Sequence, residues 1–169
     1  DDDQINVYRD VYRQLIAPVM KKEKPRMIGI SIVQQKQIIP TFTFSKMIKE
    51  EFPDVHITIG GNIVTRIRDE LKTQDKLFGY IDSAVLYEGE NAYLQLVDAV
   101  ENSKPLSGLP NLIYRDKHEI HTNKDVCSED LSKLPPPDFD GLALEKYFVP
   151  KLILPFLATR GCYWGRCTF

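Results

Sequence analysis

Hydrophobic positions along this chain alternate between helical and strand spacing. Ile5, Tyr8, Val11, Tyr12, Leu15 and Val19 recur at steps of three and four, one stripe of an amphipathic helix over residues 5 to 20. Lys21, Lys22 and Lys24 suit its C-terminal pole, and Pro25 stops it. Met27 to Val33 is a short apolar run rich in β-branched residues, and its length predicts a buried strand. Residues 38 to 52 return to helical spacing, with Ile39, Phe42, Met47, Ile48 and Phe52 facing inward and Pro40 in the first turn. Val55 to Ile59 predicts a second strand, 63 to 78 a helix, Ser83 to Tyr87 a third strand and 91 to 101 a helix.

Strand and helix thus alternate three times between residues 27 and 101. Such alternation implies a parallel sheet with right-handed crossovers, and predicts an α/β, doubly wound, Rossmann-like or flavodoxin-like domain. The pattern then changes. Leu112-Ile113-Tyr114 and Glu119-Ile120-His121 flank Arg115 to His118, a hairpin signal. Residues 124 to 150 lack periodicity and centre on Pro135-Pro136-Pro137, a stiff, extended spacer. Lys151 to Thr159 is apolar again and predicts the first strand of a further domain. The expected division is 1–123 for the α/β domain with its hairpin, 124–150 for a linker and 151–169 for the start of the next domain. The chain opens without Met and stops inside a cysteine motif, so we expect a piece of a longer protein.

Composition narrows the classes. The 169 residues, 43% hydrophobic and 27% charged, describe a globular chain able to bury roughly 70% of its unfolded surface without staples. A net charge of −2 gives no electrostatic nucleic-acid signature. No apolar run is long enough to span a membrane, and Asp1-Asp2-Asp3 does not open a signal peptide. Three cysteines make no disulfide framework, which points to a reducing, cytoplasmic setting. Cys127 stands alone in the linker and reads as a plain thiol.

Ligands of open parallel sheets bind beyond the carboxyl ends of the strands. Those ends are Ser31 to Gln35, Gly60-Gly61-Asn62 and Glu88-Gly89-Glu90. Glycine lets a backbone approach a ligand closely. Either glycine turn alone reads as a tight turn; both on one edge favour a binding edge. Neither matches a dinucleotide or Walker-type phosphate loop. His56 begins a strand, on the opposite edge, and reads as structural; His118 and His121 fall in the hairpin. At the far end, Cys162 and Cys167 are separated by four residues on a loop after an apolar run, a spacing at which thiolates can hold iron or zinc.

Thr159-Arg160-Gly161-Cys162, four residues, then Cys167-Thr168-Phe169 resembles the opening of a radical S-adenosylmethionine (radical SAM) domain. In that family three cysteines hold a [4Fe–4S] cluster, usually three and then two residues apart, with an aromatic before the third. Cys162 and Cys167 would match the first two cysteines and Phe169 the aromatic. The upstream domain, with Gly60-Gly61 after one strand and Glu88-Gly89-Glu90 after the next, then a hairpin and a proline spacer, resembles the cobalamin-binding domain that precedes many radical SAM domains. The Asp-x-His-x-x-Gly motif of some such domains is not reproduced around Asp54-Val55-His56, so no histidine here is expected to ligate cobalt.

The resemblance implies three cofactors: cobalamin, a [4Fe–4S] cluster and S-adenosylmethionine. Gln34, Gly60, Gly61, Asn62, Glu88, Gly89 and Glu90 would face the corrin, Phe169 would pack near cluster and adenine, and Cys162 and Cys167 would ligate iron. It implies radical-based methyl transfer or rearrangement at an unreactive carbon of a peptide, lipid or small metabolite. Electrons would come from a donor such as flavodoxin or ferredoxin. The present stretch alone is expected to be inactive. Two other readings remain. One is a radical SAM enzyme whose first domain no longer binds cobalamin and serves as a scaffold or substrate module. The other is a non-catalytic corrinoid-binding module.

Overall fold

A computed structural model describes residues 6–123, 129–155, 159, 160 and 164. The chain divides into two units, Asp1–Ser128 and Glu129–Phe169.

The first unit opens with a helix in three parts: α1 (Tyr8–Val11), a wider π turn over Tyr12–Ile16, and α2 (Ala17–Glu23). Pro18 accounts for the wide turn. It has no N–H for the carbonyl four residues back, and its ring crowds that carbonyl. The extra residue rotates the buried face. Tyr12, Ala17 and Met20 are buried, whereas Leu15 is 65% exposed and Val19 56%. The stripe read from sequence therefore fails beyond Tyr12. Lys24, in a left-handed conformation, ends the helix before Pro25.

Next come β1 (Met27–Ser31), α3 (Ile38–Glu51), β2 (His56–Gly60), the short helices α4 (Asn62–Arg66) and α5 (Arg68–Leu71), β3 (Ser83–Val85), α6 (Glu90–Glu101), β4 (Leu112–Asp116) and β5 (Glu119–Thr122). The sheet order is β1-β2-β3-β4-β5. The first three strands are parallel; β4 and β5 form the hairpin, β4 running antiparallel to β3 and β5 antiparallel to β4. The α/β architecture is thus as expected, and the hairpin extends the same sheet.

Alternation along the strands splits the core into two layers. Ile57, Ile59, Ala84 and Ile113 face one side and pack with Tyr12, Met20, Met47, Ile48, Val64 and Leu71. Val85, Leu112 and Tyr114 face the other and pack with Ala92 and Leu96 of α6. Each fully buried aliphatic side chain of this kind contributes roughly 1.5–3 kcal/mol. Helices thus cover both faces. α3 and α4 connect strands placed in sequential order, so crossovers of one hand set them on the same face. β3 to β4 is an antiparallel return, and α6 takes the other face.

Several sequence expectations shift. β1 is an edge strand, only half-buried, because among the described residues nothing pairs with its outer side. In α3, Ile39 is exposed and Thr41 and Ser45 take buried positions, small side chains that let the helix lie close to the sheet. The helix expected over 63 to 78 breaks into α4, α5 and a 3₁₀ turn at Leu77–Gly79. Ile63, Val64, Thr65 and Ile67 are β-branched and favour helix weakly.

The second unit contains 3₁₀ turns at Leu131–Lys133 and Leu144–Lys146 and otherwise irregular backbone among its described residues. Residues 151–155 of the expected strand Lys151 to Thr159 are not in a strand. A strand needs a ladder partner, and the described residues of this unit offer none; Pro150 and Pro155 also lack N–H donors.

Candidate functional site

The carboxyl edge of the parallel strands brings three turns together. Register aligns them: Ser31 lies opposite Gly60, and Ile59 opposite Ala84. The first turn is closed by a side chain. Gln37 Oε1 accepts from the N–H groups of Val33 and Gln34, both at 2.8 Å. The Gln34 side chain in turn accepts from the Gln37 backbone. Gln34 therefore sits at the edge with its side chain engaged in its own cap.

The second turn follows β2. Ile32 N–H donates to Gly60 O at 2.7 Å, and Ile63 N–H donates to Ile32 O at 3.2 Å. This stitches the first two turns together and leaves no room at Gly61. Its φ is +99°, and a Cβ there would lie 2.6 Å from Ile32 O. Only glycine fits both demands. Asn62 then opens α4.

The third turn follows β3. Leu86 N–H donates to Asn111 O at 2.8 Å, and Asn111 Nδ2 donates to Glu88 O at 3.3 Å. Tyr87 N–H donates to Thr65 Oγ1 at 2.8 Å, a tie to the helix that begins beside Gly61. Gly89 precedes α6 with φ −104°, an ordinary value, and Glu90 is the first helical residue. Gln34, Gly60, Gly61, Asn62, Glu88, Gly89 and Glu90 thus share one edge. Phe169, Cys162 and Cys167 lie outside the described residues, as does Cys127.

A trough of small residues runs from this edge along the α6 side of the sheet. Gly29, Ser31, Thr58, Gly60 and Ser83 occupy successive positions on that face. Thr58 is 2% exposed, and its Oγ1 has no hydrogen-bond partner. The Tyr93 ring of α6 rests over Gly29, where a Cβ would meet it at 2.7 Å. A buried hydroxyl without a partner is costly in a native interior.

The amino edge differs. His56, the first residue of β2, lies within 2.8 Å of Ser83 Oγ through Nε2. Burial holds the imidazole below its usual pKa; the Asp82 charge opposes that shift and Lys49 adds to it. A groove of 510 Å³ lies there, lined by Arg26, Asp54, His56, Val100, Ser103 and Lys104 among others. Its cations are engaged: Arg26 donates to the carbonyls of Glu101 and Val100, and Lys104 pairs with Asp98. The carboxyl edge therefore remains the candidate site despite the size of this groove. His121 stacks on Tyr114 with ring centroids 5.3 Å apart, a packing role.

Four residues of the carboxyl edge escaped sequence reasoning: Gln37, Thr65, Tyr87 and Asn111. A polar residue three positions after Gln34 is a capping signal, and Asn tolerates the left-handed backbone seen at Asn111. Nothing local marks Thr65 or Tyr87. Chemically the edge presents backbone groups, amides and carboxylates. Among the described residues no three His, Cys, Asp or Glu gather as a metal site, and no helix is long and apolar enough to cross a membrane.

No family model matches the chain. It is 28% identical over 158 residues to an uncharacterized methyltransferase of Pyrococcus horikoshii. That alignment takes in 91% of this chain and 33% of the relative, so the chain spans about a third of the relative's length. Among solved structures, the radical S-adenosylmethionine methyltransferase TsrM of Kitasatospora setae, with tryptophan and a SAM analogue bound, aligns with a TM-score of 0.43 and 16% identity. That alignment covers 70% of this chain and 21% of TsrM.

Proposed function

We propose that this chain is the corrinoid-binding part of a radical SAM methyltransferase. The observation that carries the reading is the convergence of the Gln34, Gly60-Gly61-Asn62 and Glu88-Gly89-Glu90 turns on one carboxyl edge of parallel strands, where open α/β sheets bind their ligands. The three turns are closed by backbone and short polar side chains. The similarity to a protein named as a methyltransferase supports methyl transfer as the reaction class.

The residues present fit a cobalamin. Gly60 and Gly61 carry no side chain, so a macrocycle at this edge would meet backbone there. Glu88, Glu90 and Asn62 stand at the same edge, with polar side chains suited to peripheral amides. When bound, cobalamin supplies a carrier for the methyl group. The chain's own work is to hold that cofactor, orient it and exclude water. His56, His118 and His121 lie away from this edge, so this chain would hold the ring through backbone, amides and carboxylates. Cys162 and Cys167 would hold two corners of an iron–sulfur cluster, with S-adenosylmethionine bound beside Phe169. Substrate and electron donor would meet the remainder of the protein.

Cobalt and iron, measured together in full-length protein purified without oxygen from cells supplied with cobalamin, test this. Near-stoichiometric cobalt with about four irons is the expected result. Iron without cobalt favours the scaffold reading, in which Tyr93 keeps the trough filled over Gly29. Neither metal after reconstitution sinks the proposal.

A further inference from the structure

Among the described residues five non-glycine residues have positive φ: Lys24, Tyr87, Ser103, Asn111 and Lys117. Four have local reasons. Lys24 and Ser103 follow the ends of α2 and α6, Lys117 turns the hairpin, and Asn tolerates this backbone. Tyr87 has none. It ends no helix, turns no hairpin and carries a bulky side chain at φ +56°, where such a residue is a true outlier. Nor does the core need its ring, which is 43% exposed.

The surroundings hold Tyr87 in place from three sides. Its N–H is tied to Thr65 Oγ1 at 2.8 Å, the preceding Leu86 N–H to Asn111 O, and the following Glu88 O to Asn111 Nδ2. Thr65 in turn is held in the first turn of α4, its own N–H donating to Gly61 O at 3.2 Å. The two glycine-bearing strand ends are thus coupled through one strained, outward tyrosine. Strain that the surroundings over-determine is characteristic of ligand contacts.

We propose that Tyr87 is a binding residue whose strained backbone presents its ring to the plane of the corrinoid at the carboxyl edge. This rests on the corrinoid reading above. The ring supplies a flat apolar face at low entropy cost and keeps a hydroxyl for a peripheral amide.

The test uses Tyr87→Asn, Tyr87→Gly and Tyr87→Phe with hydroxocobalamin, reading Kd from absorbance titration and Tm without ligand. Asn and Gly relieve the backbone strain, so Tm rises by roughly 2–5 °C, while Kd weakens about tenfold or more through loss of the ring. Phe keeps Kd within about twofold, because the face makes the contact. Wild-type affinity in the Asn variant overturns the proposal. So does a lowered Tm in the Asn variant, which would make Tyr87 a packing residue. Weakening by Phe equal to that by Asn overturns the ring-face contact. Failure of the wild-type protein to bind hydroxocobalamin overturns the corrinoid reading itself, and is told apart because it precedes any substitution.

Discussion

The two edges of the parallel sheet are built from different materials. At the amino edge charged side chains bond to the chain's own backbone. Lys49 Nζ donates to Val55 O at 2.8 Å and pairs with Asp82 at 2.7 Å, and Asp82 accepts from Ile57 N–H at 2.6 Å. Arg26 closes the C-terminal carbonyls of α6 at 2.8 and 3.2 Å, where a cation suits the helix dipole. At the carboxyl edge the joints are backbone to backbone, or short: Ile32 to Gly60, Ile63 to Ile32, Tyr87 to Thr65. Positive φ occurs there at Gly61, Tyr87 and Asn111. One edge thus directs its charges inward to hold strands in place, and the other is joined through backbone and uncharged side chains. A sheet that binds at one end gains from being fixed at the other.

The largest effect should come from Gly61. Gly61→Ala meets both a left-handed backbone and a contact of 2.6 Å with a carbonyl that cannot move without breaking the stitch to Ile63. We expect a loss of about 3 kcal/mol or more in urea unfolding. Gly89→Ala is the control. Its φ is −104° and the added Cβ would sit 3.4 Å from Val85 Cγ1, so stability should stay within about 0.5 kcal/mol. Equal costs at the two glycines would dissolve the Gly61 turn as a distinct feature.

Asp82 sharpens the contrast from the other side. Asp82→Ala leaves Lys49, 20% exposed at its side chain, without its carboxylate, and Ile57 N–H without an acceptor. A loss of about 2 kcal/mol is expected, less than for a fully buried pair because water reaches both partners. Hydroxocobalamin affinity of the folded variant should hold within about twofold, since no ligand contact is proposed at this edge. A tenfold weakening at unchanged fold would move the site to the amino edge groove.

How much of this was legible follows from the range of the interactions. The alternation of strand and helix is local, and β1, α3, β2 and α6 fall where periodicity put them. Gly60-Gly61 and Glu88-Gly89-Glu90 could be placed on one edge because parallel strands share a direction. Burial was less legible where a backbone irregularity changed the register. Pro18 was visible, but the π turn before it moved Leu15 and Val19 to the surface. Thr65 and Tyr87 are 22 residues apart, and their bond exists only because β2 and β3 are neighbours. Tyr87 also looks like an ordinary strand-end aromatic until its φ is known. The Lys49–Asp82 pair spans 33 residues and was invisible for the same reason.

The smallest effect concerns His56 and pH. Burial lowers its pKa from 6.5 in the folded protein, with Asp82 opposing the shift and Lys49 adding to it. As pH falls, the unfolded chain takes up the imidazole proton first, so the unfolded state holds more protons in that window. Stability is then full above about pH 6.5 and declines below it, until the folded imidazole is protonated too. His56→Gln keeps an amide within reach of Ser83 Oγ, now 2.8 Å from the imidazole, and removes the titration. Between pH 7.5 and 5.5 the wild type should lose under about 1 kcal/mol more than this variant in urea unfolding. A steeper decline in the variant would mean that Asp82 dominates and holds His56 charged. The amino edge would then carry a second ion pair, and its inward-directed charges would fix the strands more strongly than the geometry of Lys49 alone implies.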